Sequence, residues 1–127
     1  MAPSPFSLEG KTAIVTGGGI GIGKSISIEL ARAGADVMLC SRSMEHLEPT
    51  AEAIRQLGKQ ALPLTVDVRD QEQVNRVVRQ TLDTFGKIDI LVNNHGASFR
   101  DPVEDISLNG WNAVVSIYLN CVFLFCQ

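Results

Sequence analysis

Four short apolar runs, at residues 12–15, 37–40, 62–66 and 88–92, alternate with longer stretches in which apolar residues recur every three or four positions. Short runs without alternation fit strands covered on both faces, and the longer period fits helices lying across them. A first helix is predicted over 21–33, with Ile22, Ile26, Leu30 and Ala33 on one face and Gly34 placed to end it. A second spans about 44–57 through Leu47, Ala51 and Ile54, stopping at Gly58. A third covers 71–85 through Val74, Val77, Val78, Thr81, Leu82 and Phe85, before Gly86. Pro63 lacks a ladder donor, which places the third strand at a sheet edge. Ser107 can cap a last helix carrying Trp111, Val114, Val115, Tyr118 and Val122. The apolar run 114–126, broken by Ser116 and Asn120, is too short to cross a bilayer and is expected as a buried helix.

Strands joined through helices imply an α/β protein: a Rossmann-type doubly wound parallel sheet, truncated after its fourth strand and the following helix. Residues 1–10 form a lead-in and 11–127 a single domain, incomplete at the C-terminus. Such sheets bind ligands beyond the carboxyl ends of their strands, where Gly17, Ser41, Arg42, Asp67, Asn93 and Gly96 gather.

Between the first strand and the first helix the chain reads Thr16-Gly17-Gly18-Gly19-Ile20-Gly21-Ile22-Gly23-Lys24-Ser25. Gly17, Gly21 and Gly23 allow close backbone approach, and a helix beginning near Gly21 aims unpaired N–H groups and its positive dipole end at an anion. The loop is therefore a candidate phosphate cradle, and two templates fit it. Gly18-(x)4-Gly23-Lys24-Ser25 matches the Walker A pattern, with Asp67 as a conceivable magnesium-side carboxylate. Thr16-Gly17-x-x-x-Gly21-x-Gly23 lacks the Gly-x-Gly-x-x-Gly spacing but resembles a variant of the dinucleotide-binding loop, and only this reading gives Arg42 and Asn93-Asn94-x-Gly96 a role. At about twenty residues beyond such a loop an acid favours a free ribose 2′-hydroxyl and a cation a 2′-phosphate. Ser41-Arg42 stands there, so NADP is expected over NAD.

Composition narrows the partners rather than the fold. With 127 residues, 45% hydrophobic and 20% charged, the chain reads as globular, and a net charge of −3 supplies no basic footprint for nucleic acid and no polybasic stretch for a membrane surface. Cys40, Cys121 and Cys126 lack metal-ligand spacing and are expected as reduced thiols, with no metal site. The N-terminus has no charged segment ahead of an apolar core, so the location expected is cytoplasmic.

Taken together, the loop, Asp67-Val68 and Asn93-Asn94-x-Gly96-Ala97 resemble the N-terminal half of a short-chain dehydrogenase/reductase. The cofactor-binding set expected on this basis is Gly17, Gly19, Ile20, Gly21, Ile22, Gly23, Ser41, Arg42, Asp67, Val68, Asn93 and Gly96. The resemblance implies that Asp67 hydrogen-bonds the adenine edge, that Val68 lines its pocket, and that Asn93 and Gly96 shape the wall beside the cofactor. It also implies hydride transfer with an alcohol, carbonyl or acyl-CoA-like substrate, and a homo-oligomer for a full-length relative. Phe99-Arg100-Asp101-Pro102 and Ile106-Ser107-Leu108-Asn109-Gly110-Trp111 are similar to members that reduce 2,4-dienoyl-CoA or 3-oxoacyl substrates.

Departures from the family pattern set a limit on catalysis. The family uses a tyrosine four residues before a lysine, an upstream serine, and an asparagine in the preceding helix. The single tyrosine, Tyr118, is followed four residues on by Val122, and Tyr118 itself falls at the asparagine position, with Cys121 in place of a usual glycine. No catalytic residue is assigned, and the alternative to an oxidoreductase is a non-catalytic nucleotide-binding fragment. His95 replaces a usual alanine and is expected to be held by local packing rather than to act on substrate.

Overall fold

The computed structural model describes residues 4–96 and 100–127. Ala97 and Phe99, parts of two motifs above, lie outside the described residues. Strand β1 (Thr12–Thr16) leads into helix α1 (Gly21–Arg32), β2 (Asp36–Ser41) into α2 (Met44–Gln56), and β3 (Ala61–Thr65) into α3 (Gln71–Phe85). Strand β4 (Ile90–Val92) is followed by a 3-10 turn (Val103–Asp105) and a C-terminal helix. That helix has three parts: α4 (Leu108–Val115), a π-helical turn (Ser116–Asn120) and α5 (Cys121–Cys126).

All four strands are parallel in the order β3-β2-β1-β4, with Ile14 opposite Met38 and Leu91, and Leu39 opposite Pro63. Pro63 thus sits on an edge strand, as its missing N–H requires. The uninterrupted apolar character of β1 and β2 has a direct cause. Ile14, Met38 and Cys40 pack with Val66, Val74, Val77 and Phe125 on one face, while Val15, Val37 and Leu39 pack with Ala31, Leu47, Ala51 and Ile54 on the other. Each Val, Leu, Ile, Met or Phe among them contributes about 1.5–3 kcal/mol by leaving water, so a polar residue in its place would cost as much. Burial also pushes the Cys40 thiol up to about 12, an inert core group.

Helix α3 is bounded as its sequence suggests: Asp70 accepts from the Glu72 and Gln73 N–H groups, and Gly86 ends it at φ 81. Helix α1 departs from expectation. Its buried face is Gly23, Ser27 and Ala31, while Ile22 is 74% exposed. Small residues win this face because the helix lies so close to the loop and sheet that a branched side chain has no room there; Ile26, Ile28 and Leu30 pack along the margin.

The C-terminal helix also differs from its expected form. Its start is the expected one, with Ser107 capping it by accepting from the Gly110 N–H, but where a buried helix was expected it runs 19 residues to Cys126, long and apolar enough by length and composition to cross a membrane, and only 11% of its apolar stretch is buried. Cys121 and Phe125 are buried, Phe125 in the cluster of Ile14 and Val77, and Leu108, Trp111, Leu119 and Phe123 are exposed. The alternation of apolar and polar positions gave no means of telling a covered face from an uncovered one.

Candidate functional site

A cleft of about 540 Å³ opens where the four strands end. The loop after β1 forms its floor with Gly17, Gly19, Ile20 and Ile22, and Ser41, Arg42 and Ser43 come from the end of β2. Val66, Asp67, Val68 and Arg69 follow β3, and Asn94, His95 and Gly96 follow β4. Parallel strands carry these segments to the same side, which is why residues spread across the chain meet there.

The loop is held by side chains that take its carbonyl groups away from the cleft. Asn94 Nδ2 donates to the Gly17 carbonyl at 3.3 Å and Thr50 Oγ1 to that of Gly19 at 3.0 Å, while Ser27 Oγ, whose shorter bond is to the Gly23 carbonyl at 2.9 Å, lies 3.4 Å from the Gly18 carbonyl. Helix α1 begins at Gly21 with no capping side chain and no acid in its first turn. Its leading N–H groups therefore remain available to an anion. Glycine is required at two points for different reasons. Gly17 has φ 65, and a Cβ on Gly23 would overlap the Gly17 carbonyl oxygen. Neither Gly21 nor Gly23 lines the cleft; the first turns the chain into α1 and the second lies beneath the loop.

At the adenosine end expected from the sequence, Arg42 is exposed at the mouth of the cleft between Ser41 and Ser43, and none of the ion pairs among the described residues uses it. Asp67 is paired with Arg69, whose Nε and Nη2 donate to Oδ1 at 3.0 Å and Oδ2 at 2.8 Å. Those hydrogen bonds outweigh the opposing effect of burial and hold the Asp67 carboxyl at about 2, below its ordinary 3.8. A carboxyl lowered on folding stabilises the protein above its unfolded value, and that contribution is lost as pH falls from there toward the folded one. Urea midpoints followed from neutral pH to about 2 are thus expected to fall less steeply in that window for Arg69→Ala than for the parent chain. Identical slopes would show that the pair does not couple to folding.

The opposite end is built around Thr16. Its hydroxyl donates to the Val92 carbonyl at 3.2 Å and accepts from the Asn94 N–H at 2.9 Å, which leaves His95 Nδ1, 2.7 Å away, as donor in the third contact. His95 Nε2 lies 2.8 Å from Cys121 Sγ, whose single S–H has both this nitrogen and the Ile117 carbonyl as acceptors, and the ring packs against Phe125. Burial lowers the histidine and raises the thiol, so the pair is neutral imidazole and thiol rather than an ion pair. The histidine is held locally, as its sequence context suggests.

One placement differs from the expected site. Asn93 does not line the cleft; its amide faces Cys126 Sγ at 3.8 Å, and Asn94 reaches the loop instead. Strand alternation past Val92 could have indicated this, because successive residues point to opposite sides. Gly96 does line the cleft, and a Cβ there would strike the hydroxyl of Tyr118. Ser27 and Thr50, which pin the loop, carried no motif signal because hydroxyl-to-carbonyl bonds across 9 and 31 residues leave no local pattern.

Over residues 11–127 the sequence matches the short chain dehydrogenase family. The chain belongs to that family. It is 41% identical over 127 residues to a peroxisomal 2,4-dienoyl-CoA reductase of Arabidopsis thaliana, covering 98% of this chain and 43% of the relative. It is 36% identical over 129 residues to the 2-dehydro-3-deoxy-D-gluconate 5-dehydrogenase of Escherichia coli, covering 100% of this chain and 49% of that protein. The crystal structure of a short-chain type dehydrogenase/reductase from Mycobacterium marinum superposes with a TM-score of 0.92 at 34% identity, over 96% of this chain and 49% of that one. The chain thus spans about half the length of the short-chain dehydrogenases it matches. Membership also sets aside the Walker reading of the loop, and Lys24, exposed on α1, does not line the cleft.

Proposed function

We propose that this chain is the NADP(H)-binding half of a short-chain oxidoreductase acting on an alcohol, carbonyl or acyl-CoA-like substrate, and that its 127 residues bind the cofactor without turning it over. The observation that carries the NADP preference is Arg42, a cation without an ion-pair partner among the described residues, flanked by two serines where a ribose would lie. The cleft fits a dinucleotide in its volume, its glycine floor and the uncapped start of α1. Gly17, Gly19 and Ile22 would lie beneath the pyrophosphate, and Asp67 and Val68 beside the adenine. When bound, the nicotinamide supplies or accepts a hydride. The likeness to a 2,4-dienoyl-CoA reductase favours an acyl-CoA-like substrate.

Absence of turnover rests on the proton that hydride transfer requires at the substrate oxygen or carbon. These 127 residues contain no Tyr-x-x-x-Lys, and Tyr118 stands half-exposed, its hydroxyl against Gly96, at the position where the family places asparagine. Titration of the purified chain with NADPH, read by nicotinamide fluorescence, is expected to saturate and to resist competition by ATP with magnesium. Lys24→Ala should change that affinity by no more than about twofold, as for other surface substitutions. Binding of ATP alone, or a ruinous effect of Lys24→Ala, would overturn the assignment.

A further inference from the structure

We propose that Arg69 is a positioning residue for purine recognition: its guanidinium fixes the Asp67 carboxylate so that one acceptor site faces the cleft, matched to the exocyclic amine of adenine. The inference rests on the dinucleotide reading above. A carboxylate offers about four acceptor sites. Three are occupied: Oδ1 accepts from the Arg69 backbone N–H and from Nε, both at 3.0 Å, and Oδ2 accepts from Nη2 at 2.8 Å. One site remains, on Oδ2.

The carboxylate cannot rotate without breaking those bonds, and the backbone beneath it is equally held. The Asp67 N–H donates to Gln73 Oε1 at 2.8 Å, the Asp70 N–H donates to the Asp67 carbonyl at 3.0 Å, and Gln73 Nε2 donates to Asp70 Oδ2 at 3.2 Å. Asp70 in turn caps α3, so the orientation of Asp67 is tied to a helix start. A carboxylate restricted in this way discriminates between purines. The amine at the adenine 6-position can donate to it, whereas the carbonyl of hypoxanthine places one acceptor against another. Without the fork, the carboxylate could turn and its selectivity would fall. Arg69 is itself exposed and takes no part in either core cluster, so its truncation leaves the packing of the sheet intact.

The test compares NADPH with its 6-deamino analogue, nicotinamide hypoxanthine dinucleotide phosphate, in fluorescence titrations of the full chain and of Arg69→Ala and Arg69→Lys. The parent chain is expected to prefer NADPH by about tenfold or more, the effect of one hydrogen bond to a charged group. That ratio should fall to about threefold or less in Arg69→Ala and lie between in Arg69→Lys, which keeps the charge but not the fork. A ratio unchanged in Arg69→Ala overturns the role, and Arg69→Lys decides on the same ratio if the alanine variant does not fold. A parent chain indifferent to the two purines also overturns it. Failure of both dinucleotides to bind removes the cofactor reading itself.

Discussion

Gly23→Ala is expected to abolish NADPH binding and to lower the free energy of unfolding by about 2–4 kcal/mol, the range for overpacking against groups that cannot yield. The added Cβ would overlap the Gly17 carbonyl oxygen and come within 2.7 Å of its carbon and 2.5 Å of Asn94 Nδ2. Two of these atoms are backbone, and the third is the amide that pins the loop to the end of β4. Relief requires α1 to move away from the loop, which separates Ser27 from the Gly18 carbonyl and draws Ala31 from the cluster of Val15 and Leu39. Gly21→Ala is the informative control. Nothing lies within 4 Å of its Cβ position, but φ is 56, so its cost is conformational, about 1–2 kcal/mol. Urea unfolding with NADPH titration separates the two variants. A Gly23→Ala chain with parental affinity would show that the loop and α1 are not in contact.

Arg42→Ala is expected to weaken NADPH binding by about 10- to 100-fold and to leave NADH binding within about twofold, so that the preference for NADPH disappears. That is the range for one charge-assisted bond to a phosphate. Arg42 lines the cleft beside Ser41 and Ser43, and no ion pair among the described residues competes for its guanidinium. Its removal subtracts a ligand contact rather than a structural one, and the unfolding midpoint should hardly change. Equal losses for both dinucleotides would mean that the guanidinium stacks on the adenine, which they share, and the assignment to the 2′-phosphate would fall.

How much of this was legible depended on whether a residue's role is local. The boundaries of α3 could be read from Asp70 and Gly86 because a cap and a left-handed terminus involve residues within one turn. Pro63 announced an edge because the missing donor is a property of proline itself. The buried face of α1 was misassigned because periodicity counts apolar side chains, and here closeness of backbone decided in favour of Gly23, Ser27 and Ala31. Asn93 was preferred to Asn94 for a similar reason: a motif names a pair, and only the direction of the strand says which member faces the loop.

The order of strands and helices, the glycine loop, the cation after β2 and the family itself were determined by the sequence alone, because each is written in residue type and spacing along the chain. Tertiary structure decided what depends on contacts between distant segments. It tied Asn94, Ser27 and Thr50 to three successive loop carbonyls, linked His95 to Thr16 and Cys121, and showed that the outer face of the C-terminal helix is exposed. Hydrogen bonds and close approach act across space, and a one-dimensional pattern records them only where the chain happens to return to itself within a few residues.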